Sequence, residues 1–130
     1  MKLASYLKEG HDQLALLVDD LLFDMDIIHP DLPNNMGMFL NYWEEVFPVA
    51  QAGIIMIEEE KIARKRGIPL DSVELLAPVP FPTSCRDAYA FRQHVAAARR
   101  NRKVDMIAEF DQYPIFYFTN HHSIKGPGEV

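Results

Sequence analysis

The sequence predicts an α+β domain: a small β-meander, two or three helices, and an aromatic strand near the C-terminus. Three patterns carry that prediction. From Leu3 to Val18 apolar residues tend to alternate with polar ones, the period of a strand with one buried face. From Met36 to Arg66 they recur at three- and four-residue steps, the period of a helix. Ile115-Phe116-Tyr117-Phe118-Thr119 then concentrates aromatic and β-branched side chains, which suit a buried strand.

Taken in order, Leu3, Ser5 and Leu7 alternate with Lys2, Ala4 and Tyr6, and Glu9-Gly10-His11-Asp12 supplies a turn. Leu14, Leu16 and Val18 continue the alternation. Asp19-Asp20 turn the chain again, and Leu21-Leu22-Phe23-Asp24-Met25 forms a third strand. Pro30, Pro33 and Asn34-Asn35 make residues 27–35 a loop. Met36 to Arg66 is expected as two helical pieces, broken or kinked at Pro48, which has no N–H to donate. Phe39, Leu40, Trp43, Val46 and Phe47 mark the inner face of the first piece, and Ile54, Ile55, Ile57 and Ile62 that of the second. Glu60 and Arg64 stand at a favourable i,i+4 spacing on the outer face, and Gly67 followed by Pro69 fits a helix stop. Val73 to Ala77 reads as a strand, and Pro78, Pro80 and Pro82 hold an extended lead-in to the segment that carries Asp87.

Arg86 to Arg100 is rich in alanine, with Tyr89, Phe91, Val95 and Ala98 at helical steps and arginines at the end that suits the helix dipole. If the helix runs through it, Asp87 and His94 lie close to two turns apart on one face, about 10 Å along the axis. A carboxylate and an imidazole so placed can hold a metal and activate a water. The same residues also fit a plain reading, in which Ser84 and Asp87 form a capping box and His94 is an ordinary helix residue.

Size and composition set bounds. A length of 130 residues suggests one domain, and the mix of 48% hydrophobic and 25% charged residues is that of a globular protein. A net charge of −6 argues against nucleic acid as the main partner, because phosphate binding needs an excess of Lys and Arg. The dense basic run Arg99-Arg100-Asn101-Arg102-Lys103 is explained by a solvated helix end. The single cysteine, Cys85, rules out an internal disulfide and suits a reducing compartment. Charged residues begin at Lys2, and the longest uncharged apolar stretch, Val46 to Ile57, carries Gln51 and Pro48 and is interrupted well short of a membrane span, so neither a leader nor a membrane segment is expected and the expected address is cytoplasmic.

Three groups of residues carry a resemblance. Leu75-Leu76-Ala77-Pro78-Val79-Pro80 with Pro82 precedes Arg86-Asp87, Tyr89, Phe91 and His94; Pro114 with Tyr117-Phe118 and Asn120, then Gly126-Pro127-Gly128, come after. Together they resemble the N-terminal region of bacterial members of the fumarylacetoacetate hydrolase family, over essentially the whole chain. The resemblance implies a metal-dependent enzyme acting on small diketo or hydroxy-diene acids by hydrolytic carbon–carbon cleavage, decarboxylation or isomerisation. It implies Asp87 as the first of four carboxylate ligands to Mg²⁺, Mn²⁺ or Ca²⁺, His94 as the general base toward water, and Tyr89 and Tyr117 as substrate contacts.

The other three carboxylates in that family lie on a larger C-terminal β-rich domain, which is expected to be absent from this chain. Glu58-Glu59-Glu60 contains a Glu-x-Glu, but it reads as a charged helix face. A divalent ion needs several oxygen ligands, so the chain alone is expected to be a poor catalyst or none. Apolar surface left uncovered would favour a homodimer or higher oligomer. A non-catalytic dimerisation or interaction module is therefore the alternative reading.

Overall fold

The computed structural model describes residues 1–88 and 91–128, a mixed α/β chain that divides into two compact units, 1–82 with 122–130 and Thr83–His121. Among the described residues no helix is long and apolar enough to cross a membrane.

The first unit is built on the expected meander. Strands β1 (Leu3–Lys8), β2 (His11–Val18) and β3 (Leu21–Asp24) pair antiparallel, and β4 (Ile68–Pro69) adds on beside β3 to complete a four-stranded sheet. Glu9 at φ 52° and Gly10 at φ 83° join β1 to β2 by a two-residue loop with both residues left-handed, which matches the strand twist. Alternation gives the sheet two apolar faces. Leu14, Leu16 and Phe23 line one; Tyr6, Ala15 and Leu22 line the other.

Helices cover the first face. The short α1 (Met25–Ile28) follows β3 directly, where a strand end and a loop were expected. Helix α2 (Met36–Asn41) starts where the loop was expected to end, because the Asn35 side chain accepts the Met38 N–H at 2.9 Å. Helix α3 (Trp43–Glu58) corrects the expectation for Pro48: the helix runs through the proline, and the interruption lies at Tyr42, with φ −109° and ψ 27°. Pro48 is exposed on the sixth residue of α3, so what it removes is one backbone donor near the N-terminal turns. Gly53 lets α3 lie against α1, since a Cβ there would run into the Ile28 side chain.

Helix α3 also ends earlier than expected, at Glu58, with Glu60 left-handed at φ 58°. Glu60 and Arg64 are therefore not a helical pair. Arg64 instead bonds Asp19 at 2.8 Å, and Lys61 bonds Glu59 at 2.5 Å. Gly67 does cap a helical turn, but a short 3₁₀ one, Arg64–Arg66, its N–H donating to Arg64 O at 2.9 Å; its φ is −74°, and a Cβ there would sit 2.9 Å from both Leu21 and Phe23.

The second sheet face is covered by Ile68, Leu70, Val73 and Leu75. Residues 73–77 make one bridge to β1 in place of the expected strand: Leu7 N–H donates to Glu74 O and Leu76 N–H to Ser5 O, both at 2.9 Å. Gly126 seats on the backbone of Leu75 and Leu76 so closely that a Cβ would clash with the Leu75 carbonyl oxygen.

The second unit pairs β5 (Arg86–Ala88) with β6 (Phe116–Phe118) antiparallel and adds α4 (Arg92–Asn101). Val95 is the one buried hydrophobic residue in this unit among those described. Strand β6 lies where the aromatic strand was expected, but it is not buried: Phe116, Tyr117 and Phe118 are 42, 69 and 67% exposed. The ladder has two strands, so a ring on either face gains cover from one neighbouring strand at most.

Candidate functional site

The helix expected over 86–100 resolves into two elements, and this changes the geometry of the site. Arg86, Asp87 and Ala88 are extended and pair with Phe118, Tyr117 and Phe116. The helix begins only after Phe91, at φ −103° and ψ 109°. Pairing with an aromatic strand overrides the helix propensity of Arg and Ala in this three-residue stretch. Asp87 and His94 consequently do not share a helix face, and Asp87 caps no helix. Helix α4 has no side-chain cap at its N-terminus.

What the structure does bring together is Asp87 and Tyr117. They stand directly opposite each other across the β5–β6 ladder and so project from the same face. Both line an open cavity of about 290 Å³, together with Ile115 and Phe116. The volume sits at the small end of the range for small-molecule pockets. On the other face Arg86 lies over the Phe116 and Phe118 rings at 5.8 and 5.6 Å, and those two rings meet edge-on at 5.1 Å. The cation and the ring pair brace the ladder from behind the Asp87 face.

His94 lies on α4, exposed, and is not among the described residues that line this cavity. Tyr89, the other expected substrate contact, falls outside the described residues. Helix α4 is held at its start by Arg92, which bonds Asp111 through both carboxylate oxygens at 2.8 and 3.1 Å. That pairing lowers the Asp111 carboxyl and raises the Arg92 guanidinium from their ordinary values. The far end is held by Arg99, whose Nε donates to the Asp105 carbonyl oxygen.

The divalent cation that the resemblance implies needs several oxygen donors at one point. Among the described residues, no three of His, Cys, Asp and Glu converge on a point where a metal ion would sit. Among the described residues Asp87 is the single carboxylate lining the cavity. Mg²⁺ keeps near-octahedral oxygen coordination and Ca²⁺ takes about six to eight oxygens, so these residues by themselves do not fit either ion.

A different ionisable cluster, not anticipated from the sequence, lies in the first unit. Asp24 is 3% exposed. Its Oδ1 accepts the Tyr6 hydroxyl at 2.7 Å, and its Oδ2 accepts Lys8 Nζ at 2.5 Å. Burial first, then the bond to Asp24, pushes the Tyr6 phenol above its ordinary value. The bond to Asp24 likewise raises Lys8. The signal in the sequence is a lone carboxylate inside the apolar run Leu21 to Met25. Both carboxylate oxygens are satisfied from within the sheet, so the cluster serves the packing of β1 on its neighbours.

A scan of family models finds no match to this chain, and a search of curated proteins finds none either.

Proposed function

We propose that this chain is the N-terminal portion of a fumarylacetoacetate-hydrolase-like enzyme acting on small diketo or hydroxy-diene acids. One observation carries the reading: Asp87 and Tyr117, drawn from stretches about thirty residues apart in sequence, face the same small cavity from opposite strands. In that setting the Asp87 carboxylate accepts a proton or a hydrogen bond from an enol, and the Tyr117 hydroxyl donates to a ligand carbonyl. His94 acts as general base toward water once it lies within hydrogen-bond reach of that water. Because the donor set does not fit a divalent ion, the chain contributes one carboxylate and depends on others for any metal chemistry. Alone it is a poor catalyst or none.

The test is turnover of a panel of acylpyruvates by the purified chain with Mg²⁺ or Mn²⁺, its solution mass recorded in parallel. Chelator-sensitive turnover means that an oligomer of this chain assembles the missing ligands. His94→Ala should then keep the fold by circular dichroism and abolish the turnover, and unchanged activity in that variant rejects the general-base role.

A second reading, a non-catalytic association module, rests on the exposure of β6. Phe116 and Phe118, exposed together on one face of a two-stranded ladder, form an apolar surface that a second copy would cover. A stable dimer without turnover under any metal, whose mass falls on Phe118→Ser, favours this reading over the first.

A further inference from the structure

The second unit, Thr83–His121, interrupts the first, which holds the chain up to Pro82 and again from His122. Both sides of the interruption are fixed on one short stretch. On the way in, Leu7 N–H donates to Glu74 O and Leu76 N–H to Ser5 O, both at 2.9 Å. The Ser5 hydroxyl donates to Pro78 O at 3.1 Å, and Ala77 between them is buried. The chain is thereby tied to β1 as far as Pro78. On the way out, Gly126 lies on the backbone of that same stretch. A Cβ on Gly126 would clash with the Leu75 carbonyl oxygen and stand 3.0 Å from the Leu76 Cα. Backbone approaches backbone this closely only where there is no side chain.

We propose that this seat is a clasp: Gly126 on Leu75-Leu76 closes the chain around the second unit and so helps to hold Asp87 opposite Tyr117. The reason is loop closure. Strand β5 starts eleven positions after Leu75, and β6 ends eight positions before Gly126. With β5 and β6 apart, the seat must close a loop of about 50 residues; pairing of the two strands cuts that loop to about 20. The closure penalty follows the three-halves power of loop length, so the seat forms about fourfold more readily when the ladder is paired. By reciprocity the ladder pairs about fourfold more readily when the seat is made.

That coupling falls where it is needed. The ladder is two strands of three residues, all of them exposed, and a two-stranded ribbon is marginal in water. Gly126 is therefore a positioning residue: it acts on Asp87 and Tyr117 through the closure of the chain. The inference goes beyond the enzyme reading and stands whatever ligand those two residues serve, so the experiment reads no activity.

The experiment is amide hydrogen exchange on the full chain and on Gly126→Ala, followed at residues 86–88 and 116–119 in the ladder and at Leu14 to Leu17 in the meander. Gly126→Ala should speed exchange in the ladder about two- to fourfold and leave the meander unchanged. A second background separates closure of the chain from packing of the first unit. Thr119 N–H donates to Cys85 O one step beyond the Arg86–Phe118 pair, so Cys85 and Thr119 stand opposite each other. Thr119→Cys therefore allows a disulfide across the ladder. In the oxidised chain the strands are joined already, and Gly126→Ala should change ladder exchange by less than about 1.5-fold. Unchanged ladder exchange in Gly126→Ala overturns the proposal. So does an equal loss of protection in the meander, or an effect of the same size in the crosslinked chain, since the glycine would then serve the packing of the first unit alone.

Discussion

The carboxylate of Asp24 is buried under two donors of different kinds, and the consequences are sharpest in alkali. Tyr6 and Lys8 both hold their protons more tightly in the fold than outside it. Below a pH of roughly 10 folded and unfolded chains carry the same protons on these groups, and the stabilisation is fully present. Above that value the unfolded chain loses protons first, so it binds fewer and stability falls as pH rises. Urea unfolding across pH should give a plateau that declines above about pH 10. Tyr6→Phe should lower the plateau by about 1–3 kcal/mol, because Asp24 loses a buried donor, and should flatten the decline. Identical slopes in the two proteins would show that Tyr6 is not the titrating group. Glu60 makes a second prediction at this scale. It holds φ 58° just past the end of α3, a conformation that opposes its Cβ, and it is exposed. Glu60→Gly should therefore stabilise the chain by about 1 kcal/mol, read from the urea midpoint; a loss of stability would mean that its carboxylate matters more than its backbone.

Among the elements, those governed by local rules were legible in the sequence. The meander is one, because alternation and turn residues at Glu9 to Asp12 and Asp19-Asp20 specify three strands, although the first turn closes at Glu9-Gly10 and His11 and Asp12 already pair with Lys8 and Leu7. The start of α2 is another, fixed by the Asn35 cap. Elements decided by long-range pairing were not. Arg86 to Ala88 has a helical composition and becomes a strand because Phe116 to Phe118 lies beside it. Of the candidate site, Asp87 and Tyr117 were legible as residues, but their juxtaposition was not, since it depends on that pairing. The two-turn relation of Asp87 to His94 was lost with it. Pro48 misled for another reason: near the start of a helix a missing donor removes one bond without ending the element. That leaves a prediction for α3. With the helix continuous through an exposed position, Pro48→Ala should restore a backbone donor and raise stability by about 1–3 kcal/mol. Chemical denaturation measures it, and a destabilised variant would place a real break at residue 48.

At the scale of the whole chain the two units differ in what holds each together. The first has a sheet with both faces covered and a core that includes Leu14, Leu16, Phe23, Phe39 and Ile57, each fully buried. The second, Thr83–His121, is roughly 40 residues long, near the limit below which a domain ordinarily needs a disulfide, a metal or a partner. Its one cysteine is free, and its described residues assemble no metal group. Its own cohesion comes from Val95, a two-stranded ladder and surface ion pairs such as Arg92 with Asp111, which is exposed and adds little. Local opening should mirror this division. Amide hydrogen exchange on the isolated chain should protect Leu14 to Leu17 orders of magnitude more than Arg86 to Ala88 and Phe116 to Phe118. A protease that cuts after aromatic residues should cleave first between residues 110 and 118. Addition of whatever covers β6, a second copy or the remainder of an enzyme, should slow exchange in the 83–121 unit and leave the meander unchanged, because only the weaker unit has stability to gain from binding. Equal protection of the two units in the isolated chain would mean that Thr83–His121 stands without such cover, and the reasoning that ties exposed aromatics to a missing partner would fail.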